Sequence, residues 1–235
     1  MIRWLLTLAC WALLTLPAAL LTLPWTLLTG DGRFLYRTGM WIARTGLRLS
    51  GVRVQPEGLQ KLDAQRTYIF MANHASNLDP PVLLPLIPRR TSVLVKKELF
   101  RIPVLGPAMR IARLVPVDRS RRERAIESLR AAAVVLHDGL NMTIFAEGTR
   151  SRDGRLLPFK KGPFHLAAET GVPIVPVTIV GSYQAQPKGS FAVRPGVIRV
   201  VFHECVEPSP SADREALIET VRARIASALP EDPQL

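Results

Sequence analysis

Ala72-Asn73-His74-Ala75-Ser76-Asn77-Leu78-Asp79-Pro80 follows an apolar, β-prone run, Thr67-Tyr68-Ile69-Phe70-Met71, and precedes a second apolar run over 82–87. A strand-type run, a short polar segment and a helix-type run together read as a strand-to-helix junction. One imidazole and one carboxylate therefore sit in a loop held by two rigid elements. On an ideal helix His74 and Asp79 would point about 140° apart, but across a turn they can meet. Met in that way, the carboxylate accepts the proton on one ring nitrogen and leaves the other free to take a proton from a hydroxyl. Two structural readings compete: Asp79-Pro80 fits a helix N-cap with proline at the first helical position, and His74 could be a hydrogen-bonded histidine without chemistry.

Outward from that loop the pattern alternates. Strand-type runs occur at 52–54, 67–71, 91–95, 114–117, 142–145, 174–180 and 197–206, with helical stretches at 80–87, 104–112, 121–137, 164–170 and 213–229. Such alternation predicts an α/β fold with a mostly parallel central sheet flanked by helices. The chain of 235 residues accommodates one sizeable α/β domain, placed at 51–235. Cys10 lies in an apolar run and Cys205 in a predicted strand; neither has metal-ligand spacing, and both read as apolar fillers in a reducing compartment.

Residues 1–50 differ in kind. The run 4–28 carries no charge, is long enough as a helix for a bilayer core, and has Trp4 and Trp25 near its ends. Met1-Ile2-Arg3 also fits a signal peptide, but the run is long for one and basic residues follow it. Thr7, Thr15, Thr22, Thr26 and Thr29 share one helical face, as residues that pack on protein or bond back to their own helix do; Pro17 and Pro24 predict bends. After Gly30-Asp31-Gly32, Arg33, Arg37, Arg44 and Arg48 project along one side of a second helix, with Phe34, Leu35, Trp41, Ile42 and Leu49 on another. This is the pattern of a basic amphipathic helix in a membrane interface, its arginines toward lipid phosphates; an ordinary surface helix is the alternative. Residues 1–50 are thus expected to be a membrane-associated two-helix hairpin, spanning the bilayer or lying in one leaflet.

The balance is strongly basic, with a net charge of +12 and a pI near 10.8, which suits nucleic acid, anionic membranes or phosphorylated ligands. No nucleic-acid-binding motif is present, so nucleic acid is not an expected partner. Neither His-Glu-x-x-His nor Cys-x-x-Cys occurs, and no metal or cofactor is expected.

Three further stretches stand at predicted strand ends. Val117-Asp118-Arg119 delivers a guanidinium fork suited to phosphate. Phe145-Ala146-Glu147-Gly148-Thr149-Arg150-Ser151 offers a glycine for close backbone approach, two hydroxyls and another cation. Val172-Pro173-Ile174-Val175-Pro176-Val177 is apolar. Separately, Arg119 could open a solvated charged helix start, and Glu147 with Arg150 could be a local ion pair worth under about 1 kcal/mol.

In their joint order, these three stretches and the His74–Asp79 loop resemble the four motifs of the glycerolipid acyltransferases, most closely the lysophosphatidic acid acyltransferases, over about residues 50–210. Val95-Lys96-Lys97-Glu98-Leu99 is similar to a lysine-containing stretch common in that family. The resemblance implies that His74 is the general base and Asp79 its orienting partner. It implies that Arg119, Glu147, Gly148, Thr149, Arg150 and Lys97 line the glycerophosphate site. The reaction it implies is direct transfer of a fatty acyl group from acyl-CoA or acyl-ACP to the sn-2 hydroxyl of lysophosphatidic acid, giving phosphatidic acid. It also implies contact with anionic membrane lipids, at the cytoplasmic membrane with the catalytic domain on the cytoplasmic side. Two positions depart from the family pattern: Ala146 stands where a proline is usual, and Ala112-Arg113 where a glycine often precedes the second motif. Alternatives are an acyltransferase acting on another lyso-lipid, such as a lyso-ornithine lipid, or on glycerol 3-phosphate. From other classes come a membrane-bound hydrolase using Ser76 with His74 and Asp79, which lacks a Gly-x-Ser-x-Gly elbow, and a non-enzymatic module binding anions through its arginines.

Overall fold

A computed structural model describes residues 2–103, 105–118, 122–208 and 213–231, with backbone alone for residues 2–12, 14, 16 and 122. Two helices lead, α1 (Ile2–Thr29) and α2 (Arg33–Leu49), followed by β1 (Val52–Glu57) and β2 (Ile69–Ala72). Then come α3 (Asp79–Leu83), β3 (Thr91–Lys96), α4 (Leu105–Ile111), β4 (Val115–Val117), α5 (Arg122–His137) and β5 (Asn141–Phe145). The chain continues through α6 (Gly162–Thr170), β6 (Ile174–Val180), α7 (Ser182–Ala185), β7 (Gly196–Phe202) and α8 (Arg214–Ala226). The alternation read from the sequence is therefore present. The predicted helix over 80–87 is cut short, passing into a 3-10 turn at Leu84–Leu86, where Pro85 has no N–H to continue α-helical bonding.

The sheet has seven strands in the order β1-β7-β6-β2-β5-β3-β4. The five from β6 to β4 are parallel; β7 is antiparallel to β6, and β1 is parallel to β7. All four residues of β2 are buried, as a central parallel strand covered on both faces requires. Its side chains alternate between two cores. Phe70 and Ala72 join Val175, Val177, Ile198 and Phe202, with Leu47 of α2 and Val82 and Leu83 of α3, on one face. Ile69 and Met71 join Met142, Ile144, Phe164, Leu166 and Val221, under α5, α6 and α8, on the other.

The amino-terminal helices pack on each other, and α2 packs on β1 and α3. Ala19, Thr22 and Thr26 form the buried face of α1, where Thr22 Oγ1 donates to the Ala18 carbonyl at 2.7 Å and Thr26 Oγ1 to the Thr22 carbonyl at 2.7 Å. Small residues and back-bonded hydroxyls let the helices approach closely. Of the apolar side expected for α2, Phe34, Trp41 and Leu49 are exposed, whereas Ile42 is buried together with Ala43, Gly46 and Leu47. The buried face combines two small residues, Ala43 and Gly46, which let the helix lie close, with Ile42 and Leu47, which fill the layer beneath it. Leu20, Leu21, Trp25, Leu27 and Leu28 of α1 are exposed as well, Leu28 to 86%. Among the described residues no helix is long and apolar enough to cross a membrane. Cys205 is half-buried against the first core, and the Cys10 side chain lies outside the described residues.

Arg113 occupies the left-handed region, at φ 62°. A glycine would take that conformation freely, whereas an L side chain pays on the order of 1 kcal/mol. Arg113 is anchored by an ion pair to Asp138, and its carbonyl accepts from Ser92 Oγ at 2.6 Å. Arg113→Gly and Arg113→Val both delete that ion pair. We expect the glycine variant to stay within about 1 kcal/mol of wild type in chemical denaturation, and the valine variant to fall about 1–2 kcal/mol below it.

Candidate active site

Parallel strands present their carboxyl ends along one edge, where open α/β sheets place their ligands. Here the edge runs from β2 through β5 and β3 to β4. The segments leaving those ends carry His74, then Glu147 to Arg150, then Lys97, then Asp118. At a strand spacing near 4.8 Å, the row extends over roughly 14 Å. Arg119, next after Asp118 in the sequence, lies outside the described residues.

His74 Nδ1 lies 2.7 Å from Asp79 Oδ2, with Asp79 fully buried and 18% of the His74 side chain accessible. The same oxygen accepts the backbone N–H of Ala75 and of Ser76, each at 2.8 Å. Asp79 therefore does not cap α3, whose N-terminus has no side-chain cap; it turns back and fixes the loop that carries the histidine. A carboxylate can only accept, so Nδ1 carries the proton and Nε2 presents a lone pair. The imidazole stacks on Phe145 with centroids 4.1 Å apart and rings inclined by 21°. Asn73 holds the other side: its amide donates to the Ile179 carbonyl at 3.0 Å and accepts the Ile179 N–H at 2.7 Å. Neither Phe145 nor Asn73 was assigned a role from sequence, although Asn73 adjoins His74 and Phe145 opens the stretch that carries Glu147.

Glu147 points inward. Its Oε1 accepts the His74 N–H at 2.7 Å and its Oε2 accepts the Leu157 N–H at 2.9 Å, with the residue buried. The structure thus brings Glu147 to the site as a brace between the β5 and β2 loops and leaves no carboxylate oxygen turned to a ligand. Burial pushes its carboxyl up to about 7, with Asp79 adding to the rise; the two backbone N–H groups and Arg222 pull it down. Ser151 N donates to the His74 carbonyl at 2.8 Å, a second tie between the loops.

Gly148 sits at φ 71°, and a Cβ there would come 3.2 Å from the Lys160 side chain. The turn leaves Thr149 exposed and Arg150 half-buried. The Arg150 carbonyl accepts from Lys188 Nζ at 2.8 Å, while its guanidinium makes no hydrogen bond to a described residue. Ala146 is buried, donates to the Ala72 carbonyl at 3.1 Å and accepts from the Lys160 N–H at 2.8 Å. A proline could not make the first of these bonds, so backbone pairing supplies the rigidity that the replaced proline would have given. Along the row, Lys97 Nζ donates to Asp118 Oδ2 at 2.5 Å and Arg124 Nη1 to the same oxygen at 2.9 Å. Two cations on one carboxylate leave that end of the site positive. Ser76 is fully buried, its hydroxyl donating to the Gln186 carbonyl at 2.8 Å and accepting the Leu78 N–H at 3.1 Å. That geometry does not suit a nucleophile.

A family model described as Acyltransferase matches residues 53–180. A 1-acyl-sn-glycerol-3-phosphate acyltransferase of Limnanthes douglasii is 40% identical over 153 residues, covering 65% of this chain and 54% of that protein. One of Cocos nucifera is 38% identical over 166 residues, covering 69% and 54%. The chain spans about half the length of these curated relatives. The crystal structure of the 1-acyl-sn-glycerophosphate (LPA) acyltransferase PlsC from Thermotoga maritima superposes with a TM-score of 0.83 at 29% identity, over 96% of this chain and 94% of that one.

A carboxyl raised from 4.5 to about 7 in the folded state holds a proton that the unfolded chain has already released. Its contribution to stability is therefore complete below the unfolded value and is lost as pH rises toward 7. In Glu147→Gln this pH dependence is absent. The wild-type-minus-variant difference in unfolding free energy is expected to fall by on the order of 1 kcal/mol per pH unit between pH 5 and 7, then level off.

Proposed function

The chain belongs to the Acyltransferase family, and we propose that it transfers a fatty acyl group from an acyl thioester to the sn-2 hydroxyl of 1-acylglycerol 3-phosphate, giving phosphatidic acid. The observation that carries this reading is the 2.7 Å contact between His74 Nδ1 and Asp79 Oδ2, which leaves Nε2 as a base at the open edge of the sheet. The names of the two plant relatives and of the solved structure support the substrate class.

In the proposed reaction Nε2 of His74 removes the proton of the sn-2 hydroxyl as that oxygen attacks the thioester carbonyl. The tetrahedral intermediate collapses with cleavage of the C–S bond, and the imidazolium returns the proton to the departing thiolate. Asp79, a fixed negative charge at Nδ1, stabilises the imidazolium between the two transfers. Both Lys97 and Arg150, with Arg119, are assigned to the acceptor's phosphate, and the exposed Thr149 hydroxyl to its polar headgroup. Gly148 serves by keeping the turn open. Glu147 serves as a brace rather than a ligand. The donor is taken to be acyl-CoA or acyl-ACP, either of which suits a basic surface.

Residues 1–50 are assigned to membrane docking at the cytoplasmic membrane, with the catalytic domain, residues 51–235, on its cytoplasmic side. Support comes from the exposed large apolar side chains of the two packed helices, Leu20, Leu21, Leu27 and Leu28 of α1 with Phe34 and Trp41 of α2. Beside it stand the exposed arginines of α2. An acceptor with one acyl chain stays in the bilayer while its headgroup reaches the sheet edge.

With detergent-solubilised protein, radiolabelled acyl-CoA and lysophosphatidic acid, wild type is expected to form phosphatidic acid. His74→Ala should lose roughly 10²–10⁴-fold in turnover at equal folding. A His74→Ala variant as active as wild type would sink the mechanism. Asp79→Asn, which places an amide where three donors converge, is expected to lose at least tenfold. Ser76→Ala should retain most activity; a collapse of turnover there would instead favour hydrolysis through Ser76. Lack of product from wild type with acyl-CoA, but product with acyl-ACP or another lyso-lipid, would move the substrate and keep the chemistry.

A further inference from the structure

A groove of about 720 Å³ lies between α2 and the segment that joins α3 to β3. Arg37 and Arg44 line it from the helix, Arg89 and Arg90 from the segment, and Tyr36 and Trp41 also contribute to the wall. None of the described residues that line it is acidic. Arg89 and Arg90 immediately precede the amino end of β3, and Thr91 pairs with Asn141, the first residue of β5. The groove is therefore at the end of the sheet opposite His74, which follows the carboxyl end of β2. With about 3.3 Å per residue along β5, the two sites stand on the order of 13 Å or more apart.

The charge in this groove is not neutralised from within. Arg44 donates to the Pro85 carbonyl, and Arg89 to the carbonyls of Gln65 and Gly139, so both are held in place by neutral groups that leave their charge intact. Arg37 is exposed. Arg90 lies over the Tyr36 ring at 5.8 Å, and its buried Nε has no hydrogen-bond partner among the described residues. Burial raises the Tyr36 hydroxyl, and Arg90 and Arg44 act against that rise. Asp31, at the α1–α2 turn, also feels Arg90 but is paired with Arg33. Four arginines on one groove, with no acid among its described lining residues, call for an anion with several acceptor oxygens. Phe34 and Trp41 are exposed on the groove wall, and α1, which packs on the same helix, exposes Leu20, Leu21, Leu27 and Leu28. A ligand with a phosphate at one end and acyl chains at the other matches both halves.

We propose that this groove binds the headgroup phosphate of one anionic diacyl phospholipid of the membrane, separately from the acceptor. The lipid's chains lie along the exposed apolar surface of α1 and α2. The inference rests on the membrane-docking reading above and adds a defined site to it: the domain is held by a lipid at one end of its sheet and draws its substrate at the other.

The test uses the full chain, with vesicles of phosphatidylcholine alone or mixed with phosphatidylglycerol, and native mass spectrometry of the protein extracted from each. Wild type is expected to bind the mixed vesicles more tightly and to retain one phosphatidylglycerol per chain. Arg37→Gln/Arg90→Gln should lose that retained lipid and weaken binding to mixed vesicles roughly tenfold or more. Its turnover on detergent-dispersed substrates should stay at the wild-type level, which separates this outcome from a failure of the catalytic reading. Arg33→Gln/Arg48→Gln removes the same charge from α2 outside the groove and should keep the retained lipid. Equal loss in both pairs would mean diffuse electrostatic adsorption and overturn the site while leaving membrane docking intact. Displacement of the lipid by inorganic phosphate or free CoA would overturn the lipid as occupant. Absence of vesicle binding by wild type would overturn docking and site together. Should the double variant unfold, Arg37→Glu alone, at an exposed position, is expected to give the same loss.

Discussion

One buried oxygen, Asp79 Oδ2, accepts from His74 Nδ1 and from the amides of Ala75 and Ser76, and the geometry of the reactive loop follows from it. The three donors come from consecutive residues, so the chain must wrap around the carboxylate. Once it does, the imidazole has one tautomer and one orientation. Burying a carboxylate is costly unless its lone pairs are used. Here three charge-assisted bonds converge on one oxygen, while the buried Oδ1 has no partner among the described residues. The arrangement is least satisfied when the ring is neutral and gains most when the ring becomes cationic, which is the state the proposed proton transfer passes through.

The second carboxylate does different work from the same burial. Glu147 takes one amide from the histidine's loop and one from Leu157, whose carbonyl is in turn held by Arg222 of α8 at 2.8 Å. Three segments distant in sequence are thereby locked to the carboxyl ends of β2 and β5. Phe145, the last residue of β5, supplies the flat surface on which the imidazole rests. A base that is positioned by two carboxylates, a stacked ring and the Asn73 clamp loses little entropy on binding an acceptor, which is how fixed geometry lowers a barrier.

Much of this was legible in the sequence because it depends on local pattern. The continuous apolar run before Ala72, the alternation of strand and helix, and the His74-to-Asp79 spacing across a turn each have one physical interpretation that survives folding. What escaped was whatever depends on which way a side chain turns. The motif that carries Glu147 reads equally well as a ligand or as a brace, because an acid beside a glycine and an arginine is ambiguous until its two backbone donors, one of them ten residues away, are known. Ile42 of α2 is a related case: read on one apolar side with Phe34, Trp41 and Leu49, it turns instead to the core with Ala43, Gly46 and Leu47, while the other three stay outside. The strained Arg113 was marked only by the absence of a glycine.

This division of the apolar residues of α2 between core and surface links the two ends of the molecule. Had the bulky residues packed inward, the helix would have been an ordinary cover for the sheet with a charged outer face. By burying Ile42, Ala43, Gly46 and Leu47, the chain spends its small residues on the core and leaves large apolar side chains beside arginines on the outside. Leu47 belongs to the same core as Phe70 and Ala72, the residues that carry β2 to the reactive loop. The surface read as membrane-facing is therefore not a tether joined by a flexible linker but one side of the layer that holds the base. Any force that orients α2 on a lipid surface orients the edge of the sheet with it, because packed interiors do not deform gradually.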